Sequence, residues 1–221
     1  MAYKYNHVAL GGTFDLLHQG HTSLIDKAFR VSKFVSIGIT TDKFCKKSGK
    51  EPYENQYQRK KALLTYLQSK NWSKRSKIVW LNDIYGTTTR DKTIQAIVVS
   101  AETIPGANEI NKKRAKFKLK KLTLVICPQV LADDGKKIST GRIRAGEIST
   151  EGTNYVQLML KITGIRFGDQ IRAGLKKPFG KFVKINRKIN FTRPLISVGD
   201  ISTQNLLKNN ILPDISIVDF L

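Results

Sequence analysis

Two of the chain's three histidines, His18 and His21, close the run Gly11-Gly12-Thr13-Phe14-Asp15-Leu16-Leu17-His18-Gln19-Gly20-His21. Their spacing puts both imidazoles on one side of a turn and helix start. Gly11 and Gly12 let the backbone turn sharply and come close to a ligand. Thr13 offers a hydroxyl and a main-chain N–H. Gly20 precedes a helix whose free N–H groups and positive dipole end would face an anion. Two imidazoles beside such a turn can donate hydrogen bonds to phosphoryl oxygens. A lone histidine is more often a cap or a core residue, but a pair at this spacing behind Gly-Gly-Thr-Phe-Asp favours phosphate handling.

A second run, Ile138-Ser139-Thr140-Gly141-Arg142-Ile143-Arg144-Ala145-Gly146-Glu147-Ile148, has the makings of a short helix. Ser139 or Thr140 is a natural N-cap, and Glu147 closes the segment. Hydroxyls and two arginines at such a place suit a triphosphate. The plain alternative is a capped surface helix; the first run makes it the weaker reading.

The elements that must position these residues alternate. Residues 5–10 and 33–39 are short apolar runs, and helical spacing covers Gly20 to Ser32 between them, which makes one βαβ unit. Helical spacing returns over Gln56 to Gln68 and Ile110 to Lys120. Further strands are expected over Lys77 to Leu81, Ala96 to Val99 and Leu122 to Cys127. The pattern predicts an α/β fold, a Rossmann-like parallel sheet with helices on both faces, with ligands at the carboxyl ends of the strands. The rhythm changes past Gly152. The expected organisation is a nucleotide-handling domain over 1–155, a linker over 156–171 and a small β-rich segment over 172–221.

Composition bounds the function. With 221 residues, 40% of them hydrophobic, the chain can bury a sizeable core. Its two cysteines, Cys45 and Cys127, have no metal-ligand spacing, which fits a reducing cytoplasm rather than a disulfide scaffold. No apolar run approaches membrane-spanning length, so no membrane partner is expected. The formal charge of +22 invites a nucleic-acid reading. Against it, the basic residues are scattered and no recognisable nucleic-acid motif is present. The densest basic stretch, 112–121, has Ala115, Leu119 and Leu122 at helical spacing and reads as a solvated helix face.

The first run resembles the H-x-G-H signature of the nucleotidylyltransferase superfamily. The second is similar to the Ile-Ser-Ser-Thr-Arg-Ile-Arg element of the archaeal and eukaryotic type of phosphopantetheine adenylyltransferase. Gly141 departs from it, standing where that family usually has Thr. Asp83-Ile-Tyr-Gly-Thr-Thr and Ala96 to Thr103 look like the same family's middle region. The resemblance implies transfer of the adenylyl group of ATP to 4′-phosphopantetheine, giving dephospho-coenzyme A and pyrophosphate. It implies that Thr13 orients the attacking and α-phosphates and that His18 and His21 stabilise the phosphates. Gly11, Gly12 and Phe14 would complete the ATP turn, with Lys43 near the phosphates or the incoming substrate. Ser139, Thr140, Arg142 and Arg144 would hold the β- and γ-phosphates, and Mg²⁺ would arrive with ATP. Another phosphorylated acceptor (glycerol phosphate, FMN or NMN) is the alternative within the superfamily.

Leu175 to Lys181, Ser197 to Leu207 and Pro213 to Asp219 resemble the start of the archaeal GTP-dependent dephospho-coenzyme A kinases. There Asp200, Ile201, Ser202 and Asp219 would contact GTP. That family continues past the second Asp with a Lys and further sheet, and Leu221 stands where that Lys is expected. Kinase activity is therefore not expected of this chain, although a bifunctional enzyme is the alternative. The oligomeric state is not legible in the sequence.

Overall fold

A computed structural model describes residues 2–155, 157 and 158. The first apolar run becomes strand β1 (Tyr5–Gly12). Helix α1 (Gln19–Val31) then returns the chain to β2 (Ser32–Thr40), which pairs in parallel with β1. Helices α2 (Asp42–Lys47) and α3 (Gln56–Ser69) follow, then β3 (Ser76–Leu81) and β4 (Ala96–Val99). Helix α4 (Ile104–Lys116), β5 (Thr123–Ile126) and the short α5 (Thr140–Arg144) complete the described elements. α3 starts on a capping box: the Asn55 side chain accepts from Tyr57 N and Gln58 N, and Gln58 reaches back to Asn55 N.

The strands lie in the order β3-β2-β1-β4-β5, all parallel. Winding reverses between β1 and β4, which opens a crevice outside their carboxyl ends, the usual ligand position in such sheets. Side-chain alternation along β1 covers both faces. Val8 and Leu10 pack with Ile25, Phe29, Leu63 and Leu67, while Ala9 packs with Ile97, Ala107 and Ile110. This is the Rossmann-like α/β architecture expected from the alternating pattern.

The basic stretch departs from expectation. α4 begins at Ile104 rather than Ile110, because Pro105 sits in its first turn, where a missing N–H costs nothing. The helix stops at Lys116, and Lys118 at φ 54 turns the chain away before Lys120. Its buried face is Ala107, Ile110, Asn111 and Arg114, and Ala115 is exposed. Arg114 is therefore internal rather than solvated. Its Nε donates to Lys120 O at 2.7 Å, and its Nη1 donates to Thr88 O and, at 3.1 Å, to Asp91 O. It ties the loop ahead of β4 to the turn after α4.

Among the described residues no helix is long and apolar enough to cross a membrane. Apart from Gln157 and Leu158, the expectations for the linker and the tail, with Asp200, Ile201, Ser202 and Asp219, lie outside the described residues.

Candidate active site

The first run sits at the carboxyl end of β1. Gly11 and Gly12 belong to the strand, opposite Gly38 and Ile39, so they do not form the turn itself. A Cβ on Gly12 would stand 3.2 Å from the Phe14 ring, and one on Gly11 would stand 3.2 Å from Leu81 Cδ1. These glycines make room for neighbours. The turn falls instead on Phe14 (φ 54) and Leu16 (φ 46). Left-handed backbone in bulky residues costs on the order of 1–3 kcal/mol each and persists only where the surroundings impose it.

Here they do. Arg59 Nη1 donates to Thr13 O at 2.6 Å. The Asp15 carboxylate accepts from Tyr53 N and Glu54 N, each at 2.9 Å, and Glu54 Oε2 accepts from Leu16 N at 2.9 Å. From the other side, Thr140 Oγ1 donates to Asp15 O at 3.1 Å. The second run thus closes on the first across 125 residues of chain. Phe14 is fully buried and meets the His21 ring edge-on at 5.3 Å, so its side chain props that ring.

His18 caps α1. Its Nδ1 accepts from Gly20 N at 3.1 Å, which places the neutral ring's proton on Nε2. His21 stacks on it, with ring centroids 3.8 Å apart. His21 Nδ1 is buried without a partner among the described residues. A bare acceptor is the less costly state for that atom, so Nε2 carries the proton here too. Neither Nε2 bonds to a described residue.

Burial, helped by the charge of Lys137 and opposed by Asp15, pushes His18 down to about 4. Burial, then the adjacent His18 and Lys137, push His21 down to about 3. At neutral pH the pair is two uncharged donors.

The free helix amides expected beside them are absent. α1 starts at Gln19, one residue before Gly20. Gln19 N donates to Thr150 O at 2.8 Å, Gly20 N to His18, and His21 N and Thr22 N to His18 O at 2.8 and 3.0 Å. The dipole remains, but the side chains supply the donors.

In the second run Ser139 is the N-cap, accepting from Arg142 N at 3.5 Å, and Thr140 opens α5. The two arginines differ sharply. Arg142 is 17% exposed, and all three of its nitrogens are engaged. Nε donates to Glu147 at 2.9 Å, Nη1 to Lys137 O at 3.0 Å, and Nη2 to Asp134 at 2.5 Å. Among the described residues Arg144 donates one bond, to Glu51 O at 3.0 Å, and it lies 6.0 Å over the Tyr53 ring. Lys43 is exposed in the first turn of α2 and forms no ion pair with a described residue. The Thr13 hydroxyl likewise bonds to no described residue.

Sequence reasoning missed the residues that hold this arrangement. Arg59 is fully buried. Besides Thr13 it bonds Glu54 O (3.1 Å), Thr40 Oγ1 (3.3 Å) and Asp42 (2.6 Å). A signal was present: Arg59, Leu63 and Leu67 recur every fourth residue, which puts the arginine on the buried stripe of α3. Asp15, Glu54 and Lys137 were also passed over, although Lys137 immediately precedes the second run.

The histidine pair and the hydroxyl–arginine element thus meet at the switch point of the sheet. Residues 9–146 match the family described as Cytidylyltransferase-like, more than half of the chain. The chain is 45% identical over 152 residues to the phosphopantetheine adenylyltransferase of Methanothermobacter thermautotrophicus, covering 69% of this chain and 91% of that one. It is 44% identical to the protein of the same name from Methanopyrus kandleri, over 66% of this chain and 92% of that one. A crystal structure of a protein with unknown function from Archaeoglobus fulgidus superposes with a TM-score of 0.51 at 30% identity. That match covers 60% of this chain and 99% of the other. The chain belongs to the phosphopantetheine adenylyltransferase family.

Proposed function

We infer that this protein transfers the adenylyl group of ATP to 4′-phosphopantetheine, giving dephospho-coenzyme A and pyrophosphate in coenzyme A biosynthesis. A phosphate oxygen of the acceptor attacks the α-phosphorus. The bond from that phosphorus to the bridging oxygen breaks, and its electron pair leaves with pyrophosphate. A phosphate dianion is already a nucleophile, so the protein's task is positioning and charge stabilisation.

The observation that carries this reading is the meeting of residues 11–21 with 139–144 at the switch point, through the bond from Thr140 to Asp15. On it, the Thr13 hydroxyl orients the attacking and α-phosphates. His18 and His21 donate from Nε2 to phosphoryl oxygens. Ser139, Thr140 and Arg144 hold the β- and γ-phosphates. Gly11, Gly12 and Phe14 act through backbone shape and packing. Arg142 is engaged by Asp134 and Glu147 and braces the second run instead of gripping phosphate. Lys43, which forms no ion pair with a described residue, meets the incoming phosphate.

Mg²⁺ enters as part of the MgATP substrate. Imidazoles, hydroxyls and cations line the site, a donor set that suits phosphate. Among the described residues no three His, Cys, Asp or Glu side chains form a metal cluster.

The test is pyrophosphate release from ATP with 4′-phosphopantetheine. CTP in place of ATP, and glycerol phosphate, FMN or NMN as acceptors, run in parallel. Release with ATP and phosphopantetheine well above the other pairs is expected. No release above background with that pair overturns the reading. Dephospho-coenzyme A with GTP, on the same full chain, tests the tail.

A further inference from the structure

The described site has a cation that the reading above leaves unused. Lys137 lies two residues before the Ser139 cap, on a short antiparallel bridge with Leu131. Its carbonyl is held by Arg142 Nη1 at 3.0 Å. The next carbonyl, of Ile138, stands 3.9 Å from where a Gly20 Cβ would be, beside the His18 ring. The Lys137 ammonium pairs with Glu102, in the 3₁₀ turn Ala101–Thr103 directly after β4. The pair therefore stands at the carboxyl end of β4, the second wall of the switch-point crevice. Both partners are substantially exposed, at 41% and 58%, so the contact opens at little cost. Lys137 is also the cation whose charge acts on both imidazoles.

We propose that Lys137 is a further phosphate-binding residue: its ammonium leaves Glu102 when MgATP enters and contacts the β- and γ-phosphates beside the histidine pair. This rests on the adenylyltransferase reading and deepens it. Two neutral imidazoles supply directed donors but no positive charge. The bridging oxygen gains negative charge as its bond to the α-phosphorus breaks, and an ammonium at this point neutralises the departing pyrophosphate. Glu102 keeps the lysine extended towards the crevice while the site is empty, so little side-chain order is lost on binding. Arg142 is a positioning residue for it, through the Lys137 carbonyl.

The experiment compares ATP and AMP binding by calorimetry, with pyrophosphate-release kinetics, for the wild-type chain, K137Q, K137R, K136Q and E102Q. AMP lacks the β- and γ-phosphates. K137Q should weaken ATP binding about tenfold or more, the size expected for a lost charge-assisted hydrogen bond. AMP binding should stay within about twofold, and K137R should recover most of the ATP affinity. K136Q removes the same charge one residue away and should behave as wild type. E102Q frees the lysine and should hold or tighten ATP binding. Unchanged ATP affinity in K137Q overturns the proposal. So does an equal loss in K136Q, a parallel loss of AMP, or a loss in E102Q matching that in K137Q. A wild-type chain that releases no pyrophosphate defeats the underlying function instead.

Discussion

Residues 11–21 and 134–147 meet at one crevice, yet they are built on opposite terms. The first region is nearly free of charge at its working end. Two stacked imidazoles are held neutral by burial, and neither His21 Nδ1 nor the Thr13 hydroxyl has a partner among the described residues. The second region is dense with charge, and most of that charge is already spent inside the loop, as Arg142 binds Asp134, Glu147 and the Lys137 carbonyl. Where charge develops during reaction, fixed neutral donors need no reorganisation. Where a loop must be held still to receive a polyanion, ion pairs make the frame and leave a few cations for the ligand. The sequence offers Arg142 and Arg144 alike, and the structure separates them: Arg142 is engaged at three nitrogens, while Arg144 makes one hydrogen bond to a described residue.

The largest effect is expected where the first region is fastened. Arg59→Leu removes four hydrogen bonds from a fully buried side chain and leaves the Thr13 and Glu54 carbonyls without this donor. A loss of about 3 kcal/mol in stability is expected, the lower end for breaking a buried pair because Asp42 is half exposed. Urea denaturation measures it. A midpoint close to wild type means that the strained turn is held by something other than Arg59.

Next come the imidazoles themselves. His18→Ala and His21→Ala should each lower kcat roughly 10²-fold, the usual loss when one preorganised donor is removed. His21→Ala should leave the fold intact, since its ring is a partly exposed neighbour of Phe14 rather than a core residue. Near-normal pyrophosphate release from both variants would end the case for a neutral donor pair.

The two arginines of the second region then separate frame from ligand contact. Arg142→Gln should lower the stability of the chain by about 1–2 kcal/mol through its lost ion pairs. Arg144→Gln should leave the melting temperature unchanged and raise the KM for ATP several-fold. Melting curves and steady-state kinetics on both variants decide it. The reverse pattern would mean that Arg142 leaves its carboxylates when ATP binds.

How much of this was legible depends on whether local pattern or long-range packing decides a residue's place. β1, β2 and α1 were readable because each is a short apolar run or a clear helical stripe flanked by polar residues. The start of α4 was hidden because Pro105-Gly106 reads as punctuation, although proline in a first turn is compatible with a helix. The turn was misplaced by two residues because glycine is the expected bearer of positive φ. Here bonds from Arg59, Glu54 and Thr140 impose it on Phe14 and Leu16. Arg59 and Arg114 escaped notice in a chain with 39 lysines and arginines, where any one reads as surface. The histidine spacing was legible because two side chains three residues apart meet on one side of a helix start whatever the long-range packing, and here the rings stack.

The smallest expected effect tests the neutrality of the first region directly. His18 and His21 have folded values of about 4 and about 3, below the ordinary 6.5 that they regain on unfolding. Between pH 6.5 and those values the unfolded chain binds protons that the folded chain refuses, so stability falls as pH falls through that window. Above pH 6.5 the pair contributes no slope. Carboxylates stay largely ionised down to about pH 5, so the range from 6.5 to 5 isolates histidine. His7, also lowered by burial, adds to the slope, but it is present in wild type and variant alike. A His18→Asn, His21→Gln double variant keeps an N-cap acceptor at position 18 and removes both imidazoles. Its melting temperature should drop by a smaller amount over that range than the wild-type value does. Equal slopes would mean that the rings already carry protons in the folded protein above pH 5. The crevice would then gain positive charge as pH falls from 6.5 to 5, and over that range the first region would carry cations as the second does.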